Sequence, residues 1–278
     1  MELYITRHGQ TKANVEKYMQ GQTPGELTKE GCEQAKKFGI FYKNIKFDEV
    51  YCSDLLRAKK SLEIILNENL YKDQYKDIIT YTEKLREINC KSLEYQPCSK
   101  YANLKSNPPG RYRFISTDPK DETYIDIFYR ISLFLDDLIK KNISPYYSSG
   151  IIKENVYNLN EQCDKISPEQ MITLWKEKKL SINAHNNNND KNLKKILIMC
   201  HGGAIAEIMN NILYRMKKIV NIKRVISNNT GLFLIQIYKK EFKEEKNKDK
   251  EISNDDDLVF NFKLFNDTSH LKEINKIE

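Results

Sequence analysis

The chain has 278 residues, 40% of them hydrophobic and 31% charged, and no stretch reaches the roughly 18 apolar residues that a membrane helix needs. Its net charge of +7 comes mainly from lysines scattered among asparagines and isoleucines, without a basic stripe interleaved with aromatic residues, so we expect no nucleic-acid partner. Six cysteines form no C-x-x-C pair and the N-terminus shows no secretory leader, which predicts a cytoplasmic protein without a zinc site or a disulfide framework.

The N-terminal third of the chain alternates between strand and helix patterns. Thr28 can cap the first helix, and Glu30 lies in its first turn, where the helix dipole favours negative charge. Ser53 or Asp54 is expected to cap the second helix. The predicted elements are strands at 2–6, 47–53 and 77–85, and helices at 27–45 and 54–70.

One strong helix follows, and then the signal weakens. Over 121–141, apolar residues recur at three-to-four spacing, which predicts an amphipathic helix. Residues 145–192 contain an asparagine tract that lacks the apolar mass to offset the entropy of ordering, and 241–257 is a charged linker. We therefore expect low-complexity insertions at about these two ranges, within a single domain that spans 1–278.

Strand and helix patterns return near the C-terminus. An apolar run without alternation leads into a helix at 194–213, as is typical of a fully buried parallel strand. Two further strands are predicted at 230–240 and 258–267. The alternation of strands and helices predicts an α/β fold, a three-layer sandwich in which helices cover both faces of a mainly parallel sheet.

Two histidines, His8 and His201, directly follow predicted strands. Active sites in sheets of this kind lie at the carboxyl ends of the strands. Each histidine also precedes glycine, Gly202 in the second case, where backbone amides and a helix N-terminus can bind an anion. Most histidines on apolar strands are simply core or surface groups. That reading is preferred for His185, in the asparagine tract, and for His270, near the C-terminus.

Five motifs occur in order along the chain, namely RHGQTKAN, LTKEG, SDLLRAKKS, LREIN and MCHGGAI. A helix that begins with acidic residues and contains an arginine, DETYIDIFYRISLFL, and the late segment NDTSHL fit the same pattern. Together they span residues 3–271 and leave only the insertions uncovered. In these motifs the chain resembles the histidine phosphatase superfamily, whose members have the phosphoglycerate mutase-like fold.

The resemblance implies a role for each matched residue. Phosphoryl transfer needs an aligned nucleophile and positive charge around the transferred oxygens. His8 would attack phosphorus through Nε2 while a backbone carbonyl holds Nδ1–H and fixes the tautomer. Arg7, Arg57 and His201 would surround the phosphoryl oxygens, and Asn14 would add a neutral donor.

The leaving alkoxide needs a proton, and Glu87 matches the acid of the family pattern. Water would then hydrolyse the phosphohistidine with Glu87 as the base, and no metal or cofactor is required. Glu83 and Glu94 compete for this role, and only the family pattern selects Glu87. The segment after the acid departs from the pattern, because Lys91 and Tyr95 stand where glycines are expected.

Substrate recognition is the least determined part of the resemblance. Gln20 and Gly21 match the loop that lines the substrate entrance, and Arg111 is a candidate for an anionic group on the substrate. The preferred function is hydrolysis of a phosphomonoester, either a small metabolite or a phosphoprotein. The alternatives are phosphoryl transfer of the phosphoglycerate mutase type and a non-catalytic protein that binds phosphorylated ligands. A homodimer is left open.

Overall fold

The computed structural model describes residues 1–99, 120–151, 193–217, 227–239 and 254–272. Arg111 and most of the two predicted insertions lie outside these ranges. The strands are β1 (Glu2–Arg7), β2 (Glu49–Ser53), β3 (Ile79–Thr82), β4 (Lys195–Cys200), β5 (Leu232–Lys239) and β6 (Leu258–Asp267). They form one six-stranded sheet in the order β3-β2-β4-β1-β5-β6.

The sheet is mainly parallel, as predicted. Strand β4 pairs in parallel with β1 on one side and with β2 on the other, and β2 pairs in parallel with β3. The last two strands are antiparallel, β5 against β1 and β6 against β5. The carboxyl ends of the first four strands therefore open at one edge of the sheet, where the side chains that follow them meet.

Helices cover both faces of the sheet. They are α1 (Lys12–Glu16), α2 (Lys29–Phe41), α3 (Leu56–Asn67), α4 (Tyr124–Asn142), α5 (Gly202–Lys217) and α6 (Ser269–Lys272). Helices α2 and α3 pack on one face against Leu197 and Met199, and α4 and α5 pack on the other against Ile196 and Ile198. Both faces of β4 are thus apolar, which explains its unbroken apolar run. Among the described helices, none has the length and apolar character to cross a bilayer.

The caps confirm one prediction and correct another. Thr28 caps α2, and its hydroxyl accepts a hydrogen bond from Gly31 N. The prediction that Ser53 or Asp54 caps the next helix is wrong, because the N-cap of α3 is Leu55, whose side chain makes no cap hydrogen bond. Ser53 Oγ accepts from Leu55 N at 3.3 Å, before the helix begins. The Asp54 carboxylate pairs with Arg86 instead. The sequence pattern also does not predict the short helices α1 and α6.

A buried polar cluster lies beside the points where both insertions join the fold. The Arg215 guanidinium of α5, with no exposed surface, pairs with Asp136 of α4 at 2.8 Å and with Asp255 at 3.3 Å. The Tyr147 hydroxyl contacts both Arg215 and Asp255. The described part of the first predicted insertion, residues 145–151, therefore packs into the core through Tyr147, which has no exposed surface.

Replacing Arg215 by methionine is expected to lower the free energy of unfolding by about 3–5 kcal/mol, because the Asp136 and Asp255 carboxylates lose the cation buried with them. Lys84→Met is the matched control. It removes the partner of Asp137, the next residue on α4, from an ion pair whose side chains are 41% and 64% exposed. Its effect should stay below about 1 kcal/mol. If the two variants lose the same free energy of unfolding in urea, the buried cluster does not stabilise the fold more than the exposed ion pair does.

Candidate active site

The two histidines that follow β1 and β4 lie side by side. Because the strands are parallel neighbours, Arg7 lies opposite Cys200, and His8 N donates a hydrogen bond to Cys200 O at 3.1 Å. The imidazole ring centres of His8 and His201 are 5.1 Å apart. Both side chains are buried, with 2% and 0% of the residue surface exposed.

The contacts of His8 define its tautomer. Nδ1 lies 2.8 Å from the Gly9 carbonyl oxygen, so Nδ1 carries the proton and donates it there. Arg57 Nε donates to His8 Nε2 at 3.3 Å, so Nε2 bears the lone pair. A side chain at position 9 would force this turn apart, since an added Cβ would lie 2.2 Å from Gly31 O.

Electrostatics keep both imidazoles neutral. Burial lowers the pKa of His8 well below its usual value, and the Arg57 and Arg7 charges lower it further. The pKa of His201 is lowered by burial, then by Arg57 and by His8. Near neutral pH the Nε2 lone pair of His8 is therefore present in nearly every molecule. Within the described residues, no group of histidine, cysteine and acidic side chains is arranged to hold a metal ion.

Arg57 is held from three directions in the middle of the site. Its Nη1 donates to Thr23 O at 2.6 Å and its Nη2 to Gly21 O at 2.8 Å, while Nε contacts His8. Only 1% of the residue is exposed. Burial lowers the pKa of Arg57 to about 10, and the Glu87 carboxylate opposes that shift. The guanidinium therefore remains charged at neutral pH.

Arg7 is supported by the loop before β5. Its Nη1 donates to Ser227 O at 2.8 Å. In the same loop, Asn229 Nδ2 donates to His8 O at 2.9 Å and to Asn14 Oδ1 at 3.3 Å. The structure thus links Asn14, a predicted site residue, to the backbone of His8 through Asn229. The sequence carries no signal for Asn229, because this contact crosses most of the chain.

Glu87 reaches the same edge of the sheet and touches the turn after His201. Its Oε2 accepts a hydrogen bond from Gly203 N at 3.0 Å, and its Oε1 accepts one from Ile88 N at 3.0 Å. A Cβ at position 203 would lie 2.0 Å from Glu87 Oε1, so this approach requires glycine. The competing Glu83 points outward, with 75% of its side chain exposed, and Glu94 instead accepts from Gln22 N at 2.9 Å.

The predicted entrance residues lie next to this cluster. Gly21 has a φ of +52°, and its carbonyl receives Arg57. Gln20 Oε1 accepts from the Thr11 hydroxyl at 3.0 Å. Gly202, also predicted, is the first residue of α5. Arg111 lies outside the described residues, and no position can be given for it.

Two serines near the histidines were missed in the sequence. Ser53 ends β2, and its hydroxyl lies 2.8 Å from His201 Nε2. Ser61 Oγ accepts from Gly9 N at 3.0 Å and donates to Arg57 O. A signal existed for Ser53, since it stands at the carboxyl end of a predicted strand.

The structure also supports the interpretation of His270 as a core residue without a catalytic role. Burial lowers the pKa of His270 to about 4, and its ring packs against Phe38 with Nε2 2.9 Å from the Thr230 hydroxyl.

Tyr95 stands where the family pattern expects a glycine. Its φ is +64°, in a region of backbone conformation that favours glycine. The tyrosine therefore adopts the backbone expected of the glycine that it replaces.

An NMR titration of the imidazole nitrogens checks the tautomer. We expect His8 to stay neutral with the proton on Nδ1 from pH 8 to about pH 6, because its pKa lies well below 6.5. Arg57→Met should raise the His8 pKa, since the nearest positive charge is removed. An unshifted His8 pKa in that variant would contradict the electrostatic account.

Comparison with known proteins agrees with the motifs. Residues 3–144, about half of the chain, match the model of the histidine phosphatase superfamily, branch 1. The fructose-2,6-bisphosphatase TIGAR of Xenopus tropicalis is 39% identical over 159 residues, 54% of this chain and 56% of that protein. The adenosylcobalamin/alpha-ribazole phosphatase of Escherichia coli is 37% identical over 68 residues, 24% of this chain and 34% of that protein.

Solved structures extend the likeness along the chain. The phosphoglycerate mutase of Bacillus anthracis superposes with a TM-score of 0.59 at 18% identity and covers 99% of this chain and 97% of its own. At this identity the superposition shows the fold. The sequence matches to the two phosphatases span little more than half of their lengths at most. With the family match and the shared architecture, the chain belongs to the histidine phosphatase superfamily.

Proposed function

We propose that the protein is a phosphomonoesterase that transfers the phosphoryl group of its substrate to His8 and then to water. The observation that carries this proposal is the state of His8. Its Nδ1–H is bound by Gly9 O and its Nε2 lone pair faces the Arg57 guanidinium. A neutral imidazole in this tautomer is a nucleophile, and the neighbouring cation marks where a phosphoryl oxygen would bind.

In the first step, His8 Nε2 forms a bond to phosphorus while the bond to the substrate oxygen breaks. Negative charge on the phosphoryl oxygens is balanced by Arg7 and Arg57, and His201 adds a neutral contact. Glu87, in its protonated form, gives the leaving oxygen its proton. In the second step, Glu87 takes a proton from water as water attacks phosphorus, and neutral His8 is regenerated.

For the substrate we propose a small phosphorylated metabolite. The relatives support this class, since one is named as a fructose-2,6-bisphosphatase and the other as an alpha-ribazole phosphatase. The proposed reaction uses no metal, and we propose that it takes place in the cytoplasm. Arg111 stays a candidate for a second anionic group on the substrate, and a phosphoprotein remains an alternative substrate.

His8→Ala is expected to lower phosphate release by at least about 1,000-fold, because no other group supplies the nucleophile. The measurement is a panel of phosphorylated metabolites, including fructose 2,6-bisphosphate and alpha-ribazole phosphate, assayed with and without EDTA. Native protein quenched during turnover should carry phosphate on His8. Full activity of the variant would refute the mechanism. Ligand binding without turnover by the native chain would establish the binding protein instead.

Hydrolysis of the phosphohistidine is expected to be faster than transfer of its phosphoryl group to a second phosphoglycerate, because transfer requires that water be excluded from the phosphohistidine. The phosphatase relatives match in sequence, whereas the likeness to the mutase rests on fold. The check is a single assay with labelled 3-phosphoglycerate and a bisphosphoglycerate primer. It compares the rate of label exchange with the rate of phosphate release. Exchange much faster than release would assign the chain to the mutases.

A further inference from the structure

We propose that Arg130 of α4, together with Glu122, is a positioning residue for the general acid Glu87. The inference rests on the proposed function, since it assumes that Glu87 protonates a leaving group. Arg130 acts through the backbone on which Glu87 is carried.

Arg130 binds backbone carbonyls in the segment 83–87, which ends at the proposed acid. Its Nη1 donates to Lys84 O at 2.9 Å and to Arg86 O at 2.9 Å, and it lies 3.3 Å from Glu83 O. Its Nη2 donates to Glu87 O at 3.4 Å. One guanidinium therefore binds the carbonyl of the acid itself and three carbonyls before it.

Glu122 extends this clamp to the other side of the acid. Its carboxylate accepts from Arg130 Nε at 3.1 Å and from Nη2 at 3.0 Å, so the pair is bidentate. The same carboxylate accepts from Asn89 N at 2.8 Å, and Glu122 N donates to Asn89 O at 2.7 Å. Glu87 thus lies between two backbone points that one ion pair holds.

The clamp is sheltered and its geometry is specific to arginine. The side chains of Arg130 and Glu122 are 16% and 23% exposed. A guanidinium offers five donors in a fixed fork, and here it meets several carbonyls and a carboxylate at once. Lysine has one nitrogen with three donors and cannot span both groups of acceptors.

The position of Glu87 matters because a proton donor works only within hydrogen-bond reach of the leaving oxygen. The carboxylate is fixed at its tip by Gly203 N, and the clamp fixes it at the backbone. If the backbone moved, the carboxylate would leave either Gly203 or the substrate. Arg86, beside the acid, is held separately by Asp54, and Gln22 Nε2 also donates to Glu87 O, at 3.1 Å. Arg130 differs from Gln22 in binding the segment before Glu87 as well as Glu87 itself.

The test uses two substrates that differ in their need for an acid. An alkyl phosphate has a poor leaving group and requires a proton, whereas 4-nitrophenyl phosphate releases a stable anion. Arg130→Lys is expected to lower kcat/KM for the alkyl phosphate by about 10–100-fold, the scale of a displaced catalytic group, and to change kcat/KM for the aryl phosphate by less than about threefold. The comparison uses kcat/KM because it reports phosphoryl transfer to His8 and not the later hydrolysis, in which Glu87 acts as the base for both substrates. Glu122→Gln, a milder change, should shift the ratio in the same direction.

Two controls give each result a meaning. Glu87→Gln should show the same dependence on the leaving group, and Arg130→Lys added to it should leave the ratio unchanged, because no acid remains to be positioned. Arg215→Lys, another buried arginine that binds α4, should lower both rates by one factor, the fraction of folded protein. Circular dichroism measures that fraction for every variant.

The outcomes separate the two proposals. Equal loss on both substrates in Arg130→Lys and Glu122→Gln, with a normal Glu87→Gln result, overturns the positioning role alone and leaves Arg130 a structural brace. If Glu87→Gln shows no dependence on the leaving group, Glu87 is not the general acid. That result refutes both the proposed mechanism and the positioning role of Arg130 and Glu122. A selective loss on the alkyl phosphate in all three variants supports the proposal.

Discussion

The parallel pairing of β1 with β4 is the constraint on which the site depends. It places Arg7 opposite Cys200, so the residues that follow, His8 and His201, must leave the sheet next to each other. Strand β2 extends the arrangement on the other side of β4, which brings the Ser53 hydroxyl to His201. Segments nearly 200 residues apart in sequence are thus joined by backbone hydrogen bonds, and the site inherits the rigidity of the sheet.

Positive charge from Arg7 and Arg57 is concentrated at this edge. Arg57 donates to two carbonyls and one imidazole, and Arg7 donates to the carbonyl of Ser227. The same charges hold the pKa of both histidines down. In the proposed mechanism these charges would bind a dianionic phosphoryl group, and the same charges keep the Nε2 lone pair of His8 available.

Much of the fold and of the candidate site is predictable from the sequence because the signals are local. Every strand in the described residues overlaps a predicted one, since apolar runs between turns are short-range patterns. His8 and His201 could be found because each follows a strand. The cap of α3 was wrong because Ser53 and Asp54 can cap a helix by chemistry, yet both side chains bind partners brought in by the fold.

The contacts that support the site could not be predicted, because they join residues that are far apart in the sequence. Asn229 reaches His8 across 221 positions of sequence, and Arg130 reaches the acid segment across more than 40. Asn229 does not differ from an ordinary surface side chain until the register of the sheet is known. The arginine of α4 belongs to the family pattern, but its partners cannot be known until α4 is docked on the sheet. Tyr95 is partly predictable. The family pattern expects a glycine at this position, and the positive φ of the backbone there explains that expectation.

Arg57 links the predicted substrate entrance to His8. Its Nε–H is bound to the lone pair of His8 Nε2, so the proposed attack on phosphorus requires that this one hydrogen bond pass to a phosphoryl oxygen. The other two nitrogens bind Thr23 O and Gly21 O, so the guanidinium can stay anchored and charged while this happens. In the proposed mechanism, the conformation of the predicted entrance loop would therefore affect the orientation of this donor and with it the reactivity of His8.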